Sequence, residues 1–151
     1  MHGFTEQIIK ALMESAVTPT IPGSGKVLVV DDEPSVAQTL EMILLQRGYD
    51  VRAVLSAEAA IELIAAWAPD VAIVDVMLPR MNGIELGSVL QDNYPNCRLL
   101  LVSGYPGSAD LLEEAQRRGC TFEILPKPLH PSSILEIVSG MLPRGRDEAQ
   151  A

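Results

Sequence analysis

V-A-I-V-D-V-M-L-P-R-M-N-G, residues 71–83, decides how this chain folds. Four apolar residues, three of them β-branched, stop at Asp75 and give way to the turn-forming L-P-R-M-N-G. A short, unbroken apolar run of this kind is the pattern of a strand buried on both faces, as in a parallel sheet covered by helices. Asp75 then stands at the strand's C-terminal tip. In open α/β sheets that edge collects binding and chemical groups, because strand ends and βα loops converge there.

Outward from this strand the pattern alternates. Val27–Val30, starting from Lys26, is an apolar strand that ends in Asp31, Asp32 and Glu33. Pro34 suits the first turn of a helix whose expected buried stripe is Val36, Leu40, Ile43 and Leu44, stopped by Gly48. Val51–Leu55 reads as a less apolar edge strand. Ser56 is placed to cap a helix with Ile61, Ile64, Ala65 and Ala68 inward and Pro69 at its end.

After the central strand, a helix is expected from about Asn82 to Asn93 and a fourth strand from Arg98 to Val102, ending in Ser103. Gly107–Arg118 is acidic, then basic, and closed by Gly119, which suits a helix dipole. Phe122–Leu125 reads as the fifth strand, leading into Pro126, Lys127 and Pro128. Pro131 opens a last helix through Ile134, Ile137, Val138 and Met141, ended by Pro143. Five strands alternating with five helices predict a doubly wound α/β domain over residues 26–143, a three-layer sandwich on a parallel sheet. Residues 144–151 read as a polar tail, and no output domain is expected.

Composition narrows the function. The chain has 151 residues, 48% of them hydrophobic, and a net charge of -9. That size and hydrophobicity suit one folded domain. The acidic balance argues against direct contact with DNA or an anionic membrane, both of which need a basic face. No apolar run is long enough to span a membrane, and Lys10 and Glu14 break what would be a signal-peptide core, so a cytoplasmic location is expected. Cys97 and Cys120 form no C-x-x-C and read as reduced thiols. Gly23–Lys26, G-S-G-K, is no phosphate loop, because Val27 follows the lysine and the segment enters a strand instead of opening a helix.

Four of the five strands thus end in polar residues on one edge: Asp31 and Asp32, Asp75, Ser103 and Lys127. Any one alone could be a turn residue. Three carboxylates brought together repel by about 4 kcal/mol per pair at 4 Å and an effective dielectric near 20. Lys127 offsets part of this, and a hard divalent cation would offset more. Mg2+ fits best, since it takes a few oxygen ligands and keeps several waters. No His or Cys lies at these strand tips, which argues against zinc.

V-L-V-V-D-D-E-P, D-V-M-L-P-R-M-N-G, L-V-S-G and L-P-K-P, in this order and spacing, resemble the four signatures of the receiver domains of two-component response regulators, over about residues 26–142. The resemblance implies the flavodoxin-like, CheY-like strand order 2-1-3-4-5. It implies that Asp75 is the phosphoacceptor for a kinase phosphohistidine. Mg2+ would be bound by Asp32, Asp75 and the Met77 backbone carbonyl, with Asp31 acting through water. Ser103 and Lys127 would each contact a phosphoryl oxygen, and the Lys127–Pro128 bond would be cis. Where the family usually has an aromatic ring three residues before the lysine this chain has Ile124, which cannot make the same ring rotation. Leu129 replaces a frequent Phe, and His130 reads as a loop or helix-start residue. Met77 and Tyr105 stand where the family tunes phosphoryl lifetime.

The implied partners are a sensor histidine kinase or phosphotransfer protein and a downstream protein target. Activity would then be self-phosphorylation and self-dephosphorylation without turnover of a metabolite. Two other readings compete. A haloacid-dehalogenase-type phosphatase needs a second Asp two residues after the nucleophile, where this chain has Met77. A receiver-like interaction module that is never phosphorylated would keep the fold alone. Residues 1–25 comprise an amphipathic helix and a breaker-rich linker. Phe4, Ile8, Ile9, Leu12, Met13 and Ala16 share one helical face, opposite Glu6, Gln7, Lys10 and Glu14. A helix this short needs its stripe covered, by its own domain, by a partner or in a homodimer. The last two helices offer a second surface for self-association.

Overall fold

The structure, a computed structural model, describes residues 25–104 and 123–142 together with Asp110, Glu113, Gln116 and Arg117. In chain order the elements are β1 (Lys26–Val30), α1 (Pro34–Gln46), β2 (Asp50–Val54), α2 (Ala57–Ile64), β3 (Val71–Asp75), α3 (Gly83–Asn93), β4 (Arg98–Ser103), β5 (Glu123–Pro126) and α4 (Pro131–Met141). The strands form one sheet in the order β2-β1-β3-β4-β5, and every pairing is parallel. The expected residues 4–17 helix, Tyr105, most of the 107–118 helix, Cys120 and the tail from Arg144 lie outside the described residues; Asp110, Glu113, Gln116 and Arg117 are helical and exposed.

The apolar runs are explained by the two faces they serve. Leu28, Val30, Ala72, Val74, Leu99 and Leu101 point to one side, against Ala57, Ala60 and Ile64 of α2 and Ile84, Leu86 and Leu90 of α3. Val27, Val29, Val71, Ile73, Leu100 and Val102 point to the other, against Ala37, Leu40 and Leu44 of α1 and Ile134, Val138 and Met141 of α4. All five residues of β3 are buried. Each such aliphatic side chain contributes roughly 1.5–3 kcal/mol, so the strand carrying Asp75 is anchored from both sides.

Local chemistry sets the element ends. The Ser56 hydroxyl oxygen accepts the Ala59 N–H at 3.0 Å and caps α2. Asn82 and Glu85 form a reciprocal capping box at the start of α3, with both Ile84 and Glu85 N–H groups on Asn82 Oδ1 at 2.9 Å. Gly48 follows α1 at φ 91°, the left-handed conformation in which a glycine ends a helix at least cost.

Several boundaries differ from expectation. In α1, Ala37 is buried, whereas Val36 and Ile43 stay half-buried along the side of a cleft. α2 ends at Ile64, leaving Ala65 and Ala68 exposed, because the turn that follows drives Trp67 into the core instead. β2 ends at Val54 with Leu55 exposed, and β5 ends at Pro126, one residue later than expected.

Candidate functional site

Parallel pairing forces the C-terminal ends of β1, β3, β4 and β5 onto one edge. Val30 is in register with Val74, Asp75 with Val102, and Ser103 with Pro126. Asp31, one residue beyond β1, continues the ladder through its N–H to the Val54 carbonyl at 3.2 Å. Lys127, one residue beyond β5, donates its N–H to the Ser103 carbonyl at 2.9 Å. The Lys127–Pro128 peptide bond is cis.

Carboxylate oxygens of Asp31, Asp32 and Asp75 all lie within 4.8 Å of one another. Asp31 and Asp75 are buried and Asp32 is exposed. Lys127 Nζ stands 2.9 Å from Asp75 Oδ2 and 3.1 Å from Asp31 Oδ2. The other Asp75 oxygen, Oδ1, accepts the Met77 N–H at 3.0 Å, and Asp31 Oδ1 accepts the Glu33 N–H at 2.9 Å. Both buried carboxylates are therefore fixed in orientation by backbone and ammonium together.

Burial pushes the Asp75 carboxyl above its ordinary range, and hydrogen bonds from Lys127 and Met77 only partly oppose this. Lys127 shows the converse balance. Burial pulls its ammonium down, but the hydrogen bonds to Asp75 and Asp31 outweigh that and hold its pKa above the usual value. One ammonium among three aspartates is too little positive charge. A donor set of carboxylate oxygens alone, with an uncompensated excess of negative charge, fits a hard divalent cation.

Asp31, Asp32, Asp75 and Lys127 are thus brought into direct proximity. Ser103 is half-buried at the end of β4 and is tied to Lys127 through its carbonyl. Met77 lines the same cleft, and its observed contact with Asp75 is through its N–H. Ile124 is 39% exposed on β5, and His130 precedes α4 without a side-chain cap.

Two further residues join the site. Glu33 Oε1 lies 3.8 Å from Lys127 Nζ, a third acid that its place next to Asp32 could have signalled. Gly83 packs so closely beneath Asp75 that a Cβ there would collide with the Asp75 carbonyl oxygen. Nothing in a lone glycine after Asn82 announces that approach. The site opens into a cleft of about 780 Å3 between α1 and the loop from Lys127 to Pro131.

Fold and edge together define a doubly wound α/β protein with a buried aspartate held among acids and a lysine. The chain belongs to the response regulator receiver domain family, whose model matches residues 27–139. It is 34% identical over 129 residues to the response regulator protein FleR of Pseudomonas aeruginosa, covering 83% of this chain and 27% of that protein. It is 31% identical over 125 residues to PilR of the same organism, covering 83% and 28%. The crystal structure of the NtrX receiver domain from Brucella abortus superposes with a TM-score of 0.67 at 26% identity, over 77% of this chain and 97% of that one. The chain spans about a quarter of the length of these two curated relatives. Membership places it in two-component phosphorelay signalling. Among the described residues no helix is long and apolar enough to cross a membrane.

Proposed function

We propose that residues 26–143 receive a phosphoryl group on Asp75 from a phosphohistidine of a sensor histidine kinase or phosphotransfer protein, and pass the signal on by protein contacts. The observation that carries this is the setting of Asp75: a buried carboxylate at a strand tip, 2.9 Å from Lys127 Nζ and clustered with Asp31 and Asp32. An Asp75 carboxylate oxygen attacks phosphorus as the P–N bond breaks, and the departing imidazole nitrogen keeps the electron pair and takes up a proton. Attack by water on the same phosphorus returns the free carboxylate and inorganic phosphate.

Phosphoryl transfer needs positioning and charge stabilisation above all. Lys127 pairs with one phosphoryl oxygen and the Ser103 hydroxyl donates to another. Asp32, Asp75 and the Met77 carbonyl would hold Mg2+, with Asp31 acting through water. Mg2+, when bound, supplies the positive charge that Lys127 alone does not. The Met77 N–H on Asp75 Oδ1 keeps the carboxylate from rotating away. We place the chain in the cytoplasm, in keeping with Cys97 as a free thiol.

The test is incubation with a small acyl phosphate and Mg2+, followed by intact-mass measurement. A labile increment of one phosphoryl group is expected, lost in Asp75→Asn and lost with chelator. An unmodified mass under all conditions would instead leave an interaction module that is never phosphorylated, and sustained phosphate release from many phosphoesters would indicate a phosphatase.

A further inference from the structure

Residues 76–82 join the strand that bears Asp75 to α3, and they carry the Met77 backbone past the acids. Several ties of this loop are local. The Met77 N–H is on Asp75 Oδ1 at 3.0 Å, the Leu78 and Gly83 N–H groups are both on the Val76 carbonyl at 3.2 and 2.9 Å, and the Asn82 N–H is on Glu85 Oε1 at 2.9 Å. Another tie comes from a different part of the chain. Glu58, in the first turn of α2, accepts the Met81 N–H on Oε2 at 3.3 Å, and the same oxygen stands 3.6 Å from Arg80 Nε.

Arg80 is where the loop needs such a hold. Its φ of 61° puts an L side chain in the left-handed region, a conformation that persists only where the surroundings fix it. Arg80 and Glu58 are both exposed, so the ion pair by itself adds little. The bond to the Met81 N–H matters more. Hydrogen bonds from its own N–H and from Met81, with the Arg80 charge, outweigh burial and hold the Glu58 carboxyl below its usual range. The carboxylate is therefore charged at neutral pH, and its bond to Met81 is charge-assisted. α2 is itself anchored, because Ala57 and Ala60 are buried in the same core face as Leu78.

We propose that Glu58 is a positioning residue of the Asp75 site: its carboxylate fixes residues 80 and 81, and through them the Met77 backbone beside Asp75. Leu78 in the core and Gly83 beneath Asp75 anchor the two sides of the loop, and Glu58 holds the turn between them. Without that carboxylate Arg80 leaves the left-handed region. The movement reaches Met77 because the Val76 carbonyl ties Leu78 and Gly83 together. The hold on the loop stands by itself, whereas its consequence for Mg2+ and phosphoryl uptake rests on the phosphoacceptor reading.

Amide exchange of the full chain, followed residue by residue by NMR, tests the hold in chelator. Glu58→Ala should speed exchange about tenfold at Met77 and Gly83, whose own bonds end on Asp75 and Val76, as expected for loss of a hydrogen bond to a charged group. Glu58→Gln keeps an acceptor for the Met81 N–H and should fall between Glu58→Ala and the parent. Glu62→Ala, on the exposed side of α2, should exchange like the parent. Mg2+ titration of the same spectra should show binding weakened about tenfold in Glu58→Ala. Acyl-phosphate labelling should then fall at low Mg2+ and recover at saturating Mg2+, a split that mere loss of stability does not give. Glu58→Lys supplies the same readings should Glu58→Ala fold poorly. Unchanged exchange at Met77 and Gly83 would overturn the proposal, and so would faster exchange with unchanged Mg2+ affinity. A parent chain that binds no Mg2+ would end both the phosphoacceptor reading and the role of Glu58 in the site, while the exchange rates still decide whether Glu58 fixes the loop.

Discussion

Replacing Lys127 with methionine keeps most of the side-chain volume and removes the one ammonium that Asp31 and Asp75 share. At 2.9 and 3.1 Å and an effective dielectric near 20, each contact is worth roughly 5 kcal/mol of gross attraction. Desolvation of the ammonium offsets much of that, and removing one member of a buried pair typically costs about 3–5 kcal/mol. The Glu33 contact, at 3.8 Å with an exposed partner, adds little. Since the Lys127 side chain keeps 22% exposure, the lower end applies, and about 3 kcal/mol is expected at pH 7 in chelator. Urea unfolding of both proteins measures it. Mg2+ should narrow the gap, because the cation takes over the neutralisation of the three carboxylates and no longer competes with the ammonium. The raised Lys127 pKa also sets a pH window: its contribution is complete below 10.5 and is lost as pH rises through the higher folded value, a limb that Lys127→Met should lack. A variant as stable as the parent in chelator, with no alkaline difference, would refute the claim that these carboxylates depend on Lys127.

Gly83→Ala places a methyl group against the Asp75 carbonyl oxygen and Val76 Cα, which are backbone atoms with little room to yield; a loss of about 3 kcal/mol and slower phosphorylation are expected, measured by thermal unfolding and acyl-phosphate labelling. Asp75 has a raised folded pKa, so its contribution is most favourable below its ordinary 3.8 and is lost as pH rises through the raised value. Asp75→Asn should therefore gain on the parent in urea titrations as pH climbs through that window, and a difference that moves the other way would contradict the burial argument. Ser56→Ala removes the cap of α2 and should cost about 1 kcal/mol in the same assay while leaving phosphoryl uptake unchanged, since the Ser56 hydroxyl serves the Ala59 N–H of α2.

Much of this was readable from the chain because parallel topology leaves strong marks. Strands covered on both faces print as unbroken apolar runs, and their C-terminal ends must share an edge, so Asp31, Asp32, Asp75 and Lys127 could be grouped before any distance was known. Helix faces were less legible. Periodicity fixes the direction of an apolar stripe but not which of its margins a neighbour covers, and so Val36 and Ile43 lie half-buried at the margin of a core that also takes Ala37. Alanine gives little signal of facing, which hid the exposure of Ala65 and Ala68 and the inward turn of Trp67. The Gly83 approach depends on how the loop after Asp75 folds back on its own strand, which no local pattern encodes, whereas the only sign of the Glu33 contact is its place beside Asp32.

The most direct test of the site is to locate the phosphoryl group itself. Borohydride reduction of the protein after acyl-phosphate and Mg2+ treatment, followed by peptide mass mapping, should convert residue 75 to homoserine in the parent chain. Homoserine at another carboxylate, or at none while the protein is labelled, would contradict the assignment of Asp75 as the phosphoacceptor.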